Sequence, residues 1–291
     1  MSTGDEQRGY SRRRFLIGAA GTAFAVGAGF AAATAPLRIG LTPVILDDRT
    51  TFLGDWRDWL RRRMGLPVVF VQRAKYRDIT DLLLNGHLDA AWICGYPYVL
   101  HRDRLRLVAV PEYRGAPRYR SLIISGSGRV GITAFEDLAG RVFAFSDPDS
   151  NSGYLYPSYR LRRLGSDPGD YFRRAFFTWS HRNTIEAVAE GLADGGAVDS
   201  YVWDAYNRLH PDLAAATRVI ERSPEFGFPP LVTTKRAPPE NAARLRDALL
   251  AMDADPAGRA LLDRVFLDRF VRPHDASYDS IAGMARVVDS Q

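Results

Sequence analysis

Short apolar runs alternate with amphipathic helical stretches twice over along this chain, and that alternation restricts the fold more than any other feature. Runs at 37–42, 68–71, 90–93 and 105–110 have strand character. Between the first three lie 52–64, with Trp56, Trp59, Leu60 and Met64 at helical spacing, and 76–85, stopped by Gly86. A second series follows, with strands predicted at 122–124, 142–145, 176–179, 197–198 and 218–220 and helices at 134–138, 184–193 and 201–209. Asn183 is placed to cap the second of these helices. A parallel strand reaches its neighbour only through a crossover, so such a series builds a mainly parallel sheet flanked by helices. Two α/β lobes are therefore expected. A last strand at 231–233 and helices at 241–251 and 256–266 are predicted to return to the first lobe, giving lobe 1 at 36–120 and 226–291 and lobe 2 at 121–225.

Composition supports a folded globular chain, at 46% hydrophobic and 25% charged residues. The single cysteine, Cys94, excludes an internal disulfide framework and sits in an apolar run, where a buried small residue is expected. Residues 1–35 read as a twin-arginine export signal or anchor. Ser11-Arg12-Arg13-Arg14-Phe15-Leu16 precedes a Gly- and Ala-rich apolar stretch, so the chain is expected in the periplasm or tethered to the outer face of the inner membrane. Without that segment the balance is only mildly basic, and the arginines are scattered over helices, which argues against nucleic acid as a partner.

In open α/β sheets ligands bind beyond the carboxyl ends of the strands. The polar residues there are few. Tyr96 and Tyr98 follow the strand ending at Ile93, Ser150, Asn151 and Ser152 follow that ending at Phe145, His181 follows Trp179, and Asp199 follows Val198. Each has a structural alternative: the tyrosines can cover a sheet end, His181 can pack, and the serines and Asp199 can cap helices. Together they suit a tetrahedral oxyanion. Ser150 and Ser152 offer hydroxyls, Asn151 an amide, His181 a donor whose charge could follow pH, and Asp199 an acceptor for a ligand that keeps a proton or carries an amine. Pro157 argues against a regular helix from Asn151, because it would remove an interior hydrogen bond; a helix starting near Pro157, preceded by a separate nest of N–H groups, is expected instead. A Ser150 or Ser152 triad with His181 and Asp199 is the enzymatic alternative, but the chain has no Gly-x-Ser-x-Gly elbow and no metal-ligand cluster. No catalytic residue, metal or cofactor is expected.

Several segments resemble the phosphate/phosphite/phosphonate-binding proteins of ABC importers. They are Gln72-Arg73-Ala74-Lys75-Tyr76, Gly86 to Trp92 leading into Gly95-Tyr96-Pro97-Tyr98, Ser146-Asp147-Pro148-Asp149-Ser150-Asn151-Ser152-Gly153-Tyr154, Ser180-His181, and Gly191 through Asp199, spread over residues 37–270. The resemblance implies a two-lobed type II periplasmic-binding-protein-like fold with a hinge between lobes. It also implies a small phosphorus oxyanion held by Ser150, Asn151 and Ser152, by Tyr76, by Tyr98 or Tyr96, and by His181, with Asp199 at the position that meets an amine. The implied partner is an ABC transporter permease, with a membrane histidine kinase as the alternative, and a monomer is expected.

Overall fold

The structure, a computed structural model, describes residues 35–43 and 50–290. The twin-arginine segment lies outside the described residues. Strands β1 (Leu37–Leu41), β2 (Val68–Gln72), β3 (Ala90–Trp92) and β4 (Leu105–Glu112) begin the first sheet. The chain then leaves through β5 (Arg118–Tyr119) to a second sheet of β6 (Ser121–Gly126), β7 (Val142–Phe145), β8 (Arg174–Phe177), β9 (Gly195–Asp199) and β10 (Thr217–Arg222). It returns through β11 (Phe226–Gly227) to β12 (Leu231–Thr234) and β13 (Arg269–Val271). The sheets have the orders β13-β4-β12-β3-β1-β2 and β10-β6-β9-β7-β8, and β5 and β11 pair antiparallel as a ribbon where the chain crosses between them.

In both sheets most strands run in one direction. In the first, β12 and β13 are the antiparallel members, with β12 inserted between β3 and β4; in the second, only β6 opposes the rest. Burial follows strand position. The central β3, β6 and β9 are buried along their whole length, as their apolar and small-residue sequences favour, with Asp199 at the end of β9 the one acid among them, whereas the edge strands β2, β8 and β10 carry exposed residues.

Helix α1 (Thr50–Met64) covers β2, and α2 (Tyr76–Leu84) buries Tyr76, Ile79, Thr80 and Leu83, the i, i+3, i+4, i+7 stripe of an amphipathic helix. Gly86, at φ 77°, turns the chain out of α2 in a conformation that disfavours a side chain. Trp56 of α1 meets Phe70 and Trp92 with ring centroids 5.0 and 6.0 Å away, and Trp92 meets Phe270 at 5.9 Å, joining β2, β3 and β13 in one aromatic core. Beneath the second sheet, Phe143 is fully buried and stacks on Phe172 at 4.4 Å.

Some local expectations change. A short helix, α3 (Gly95–Leu100), carries Tyr96 and Tyr98. Helix α4 (Tyr156–Arg163) starts one residue before Pro157. Helix α5 runs over His181–Ala189 rather than 184–193, because extended Ser180, not Asn183, is its cap: Ser180 Oγ accepts the Asn183 N–H at 3.1 Å. The Asn183 amide instead donates to Thr178 O at 2.9 Å. Helix α6 (Ser200–Leu209) follows β9 directly. The two return helices, α7 (Pro239–Leu250) and α8 (Pro256–Arg264), pack on α1, with α7 also lying on β4 and β13. A terminal helix, α9 (Asp279–Asp289), which no periodicity argument anticipated, packs against both α3 and α4.

Replacing Phe143 with alanine removes a stacked, fully buried ring below β7 and is expected to cost about 3–5 kcal/mol. Chemical denaturation checks this; a loss below about 1 kcal/mol contradicts a close-packed second core.

Candidate functional site

The segment after β7 is a π-type turn, Asn151–Leu155, that runs into α4. Leu155 N–H reaches back to Ser150 O at 2.9 Å, and Tyr156 N–H to Asn151 O. Proline 157 explains the widened turn. It has no N–H to give to the preceding turn, and the carbonyls there find other donors: Ser121 Oγ donates to Ser152 O at 2.7 Å, and Ser146 N–H donates to Gly153 O at 3.2 Å. Ser150 caps this turn, its Oγ accepting the Gly153 N–H at 2.9 Å, so its structural reading is realised. Gly153 is demanded by space, since a Cβ there would lie 2.5 Å from Ser146 Cβ and 2.6 Å from Ser146 Oγ.

Asp147 shapes the same loop. Its Oδ1 accepts the Asp149 N–H at 2.8 Å, and its Oδ2 accepts the Tyr76 N–H at 3.1 Å, which places the start of α2 against the turn. Burial pushes its pKa up to about 6, opposed by the amides of Asp149 and Tyr76. Two more contacts join the same places: Arg77 forms a two-pronged ion pair with Asp149, at 2.7 and 3.2 Å, and Lys75 Nζ sits 4.9 Å above the Trp179 ring. Three consecutive residues entering α2 thus bind three points around the second sheet.

Within this junction several polar atoms are buried without a hydrogen-bond partner: Tyr76 Oη, Asn151 Oδ1 and Ser152 Oγ. All three residues are fully buried. Burial, then the neighbouring Cys94, Asp147 and Asp199, raises the Tyr76 pKa well above its ordinary value, so the phenol keeps its proton and is a donor.

His181 lies at the first position of α5, fully buried. Asp199 N–H donates to its Nδ1 at 3.2 Å, so Nδ1 carries the lone pair and Nε2 carries the proton. Ser146 Oγ lies 2.8 Å from the same Nδ1 and 2.9 Å from Ala197 O, two acceptors that compete for its one proton. Burial lowers the His181 pKa to about 3, so the ring is a neutral donor at physiological pH. This corrects the expectation that its charge follows pH. Asp199 is the helix cap of α6: its Oδ1 accepts the N–H groups of Tyr201 at 2.7 Å and Val202 at 3.3 Å. Burial nevertheless pushes its pKa up to about 7.

The tyrosines of α3 are placed differently from the rest. Tyr96 donates its hydroxyl to Asp289 at 2.9 Å, and Tyr98 donates to Asp275, which also holds Arg102. A third tyrosine meets the turn instead. Tyr119, on the ribbon strand β5, is buried between Phe226 and Phe228 and accepts the Asn151 side-chain N–H at 2.9 Å. Cys94 Sγ accepts the Asn151 backbone N–H at 3.2 Å and lies 3.9 Å from Tyr119 Oη. Neither residue was legible as a site residue, because the contact depends on where the crossover ribbon lies. Ser146 was visible only as part of the loop motif. Among the described residues no group of three or more His, Cys, Asp or Glu could hold a metal ion, and no helix is long and apolar enough to cross a membrane.

The candidate site combines neutral donors, the Tyr76 and Ser152 hydroxyls and His181 Nε2–H, with an unpartnered acceptor, Asn151 Oδ1, where the two sheets meet. Residues 39–278 match the family model described as ABC transporter, phosphonate, periplasmic substrate-binding protein. The chain belongs to this family of exported substrate-binding proteins, whose members are transporter components and not enzymes. It is 30% identical over 155 residues to the phosphate-import protein PhnD of Mycolicibacterium smegmatis, covering 49% of this chain and 48% of that protein. The chain spans about half the length of the curated relatives it matches first. Among solved structures, the binding-protein component of an ABC phosphonate transporter from Pseudomonas aeruginosa superposes with a TM-score of 0.80 at 22% identity, over 87% of each chain. PhnD1 from Prochlorococcus marinus in complex with methylphosphonate gives 0.76 at 20% identity, over 88% of this chain and 98% of that one. The two-lobed type II periplasmic binding fold is thereby established.

Two outcomes are expected. Asp199 is ordinarily ionised above about 3.8 but stays protonated up to about 7 when buried, so the folded chain binds more protons across that window and its stability falls as pH rises through it. Asp199→Asn keeps the cap and removes the ionisation; its advantage over wild type in thermal melts should grow from about pH 4 to about pH 7, and a constant difference contradicts the assignment. Gly153→Ala should cost about 1–3 kcal/mol in denaturant melts through the clash with Ser146, and a neutral effect would mean the turn is looser than described.

Proposed function

We propose that this protein captures a small phosphorus oxyanion, a phosphonate, phosphite or phosphate, between its two lobes and delivers it to an ABC importer. The observation that carries this reading is that Tyr76 Oη, Ser152 Oγ and Asn151 Oδ1 are buried without partners on segments joined through Asp147 and Ser146, and that Ser146 also touches His181. An unsatisfied buried polar group costs about 1–3 kcal/mol, so a fold that keeps three of them together is built for a ligand that completes them. An oxyanion accepts from the two hydroxyls and from His181 Nε2–H, while Asn151 Oδ1, an acceptor, takes a proton from a protonated oxygen or an amine of the ligand. Charge-assisted hydrogen bonds are about twice as strong as neutral ones, and several neutral donors hold a delocalised charge without a buried cation.

In this reading Ser152, Tyr76 and His181 donate to the oxygens. Asn151, steered by Tyr119, faces the same ligand, and Ser150 supports the turn from behind. Asp199 selects a ligand that keeps a proton or carries an amine, because its own capping bonds use Oδ1. Tyr96 and Tyr98, with hydroxyls committed to Asp289 and Asp275, stand outside the contact set. The β5–β11 ribbon is the pivot, and the bonds from Lys75, Tyr76 and Arg77 to Trp179, Asp147 and Asp149 hold the lobes shut. Arg12 and Arg13 direct export through the twin-arginine route, and the chain acts as a monomer at the permease.

Calorimetric titration with methylphosphonate, phosphite, phosphate and sulfate tests the reading. One phosphorus ligand should bind tightly, and Ser152→Ala should weaken it by about 1–3 kcal/mol for the lost donor. Binding of sulfate alone, or unchanged affinity in Ser152→Ala, would sink it. Arg77→Ala breaks an ion pair whose arginine is exposed and whose carboxylate is buried, and should speed ligand release by about twofold to fivefold in stopped flow. An unchanged release rate would contradict the closing role.

A further inference from the structure

The backbone N–H of Asn151 lies between the two serines of the turn, yet it points to sulfur: Cys94 Sγ accepts it at 3.2 Å. This bond joins the end of β3 in the first sheet to the turn that follows β7 in the second. The thiol also lies 3.9 Å from Tyr119 Oη, is close enough to Tyr76 to raise that phenol's pKa, and receives the Tyr96 amide. The Cys94 thiol thus touches the turn in which Ser152 Oγ has no partner and lies near Tyr76, whose hydroxyl has none either. It is not simply a core residue.

We propose that Cys94 tunes the oxyanion affinity of this junction, its thiol competing with a bound oxyanion for the Asn151 N–H. The inference rests on the oxyanion reading above. Sulfur is a weak acceptor, whereas an anionic oxygen forms a charge-assisted bond about twice as strong as a neutral one. A ligand oxygen therefore displaces the thiol, but only by spending part of its binding strength on breaking the sulfur contact. Burial pushes the Cys94 thiol up to about 11, so the competitor is uncharged and does not repel the anion. The result is a site with moderated affinity and a donor whose use depends on the ligand's oxygens reaching past sulfur.

Cys94→Ala removes the competitor and frees the N–H. Titrated with methylphosphonate and with inorganic phosphate, the variant is expected to bind about threefold to tenfold more tightly than wild type. Equal or weaker binding by the folded variant overturns the proposal. Cys94→Ser gives a second readout, because a hydroxyl oxygen accepts the Asn151 N–H more strongly than sulfur does and should leave both ligands bound more weakly than in Cys94→Ala. Equal binding by the two folded variants also overturns it. If wild type binds no phosphorus oxyanion at all, the oxyanion reading fails; if wild type binds and neither readout moves, only the role of Cys94 fails.

Discussion

The carboxylate of Asp147 is shared between two peptides that lie far apart in the chain. One oxygen holds Asp149 N–H and folds the loop after β7; the other holds Tyr76 N–H and fixes the start of α2 against that loop. The Arg77–Asp149 pair and the Lys75–Trp179 contact work on the same frame, so the distance between the two sheets at the site is set by side chains that are neighbours in sequence. The arrangement works against the ordinary ionisation of Asp147, whose pKa is raised to about 6 because its surroundings are dry. Dryness is what makes the adjacent donors effective, since a hydrogen bond to an anion is stronger where water is excluded.

Uncharged donors at the centre and charged pairs at the rim divide the work. His181 is kept neutral by burial, and its tautomer is fixed by the Asp199 amide, so its proton is held on Nε2. Proline 157 contributes by refusing an interior helical bond. The turn widens, its carbonyls are taken by Ser121 and Ser146, and Ser152 is left with an unengaged hydroxyl. A regular helix from Asn151 would have placed these groups otherwise.

Much of this was legible in the sequence. The alternation of apolar runs and helical stripes predicts two mainly parallel sheets, and positions after strands pick out Ser150 to Ser152, His181 and Asp199, which the structure brings to one junction. The motif residue Tyr76 joins them there because α2 begins at the turn. What was missed has physical reasons. Tyr119 lies on a two-residue strand too short for any periodic signal, and Cys94 looks like any small residue in an apolar run. Tyr96 and Tyr98 follow a strand as a site residue should, but α3 turns them toward Asp289 and Asp275, acids contributed by a C-terminal segment whose return path no local pattern encodes. His181 was visible as a residue but not as a neutral one, because its charge state depends on burial.

A crystal structure with methylphosphonate bound tests the central claim most directly. The account requires phosphonate oxygens within hydrogen-bonding distance of Tyr76 Oη, Ser152 Oγ and His181 Nε2, the groups that are unpartnered or proton-bearing at the junction. A phosphonate seated elsewhere, or one that leaves those three groups without contact, would contradict it.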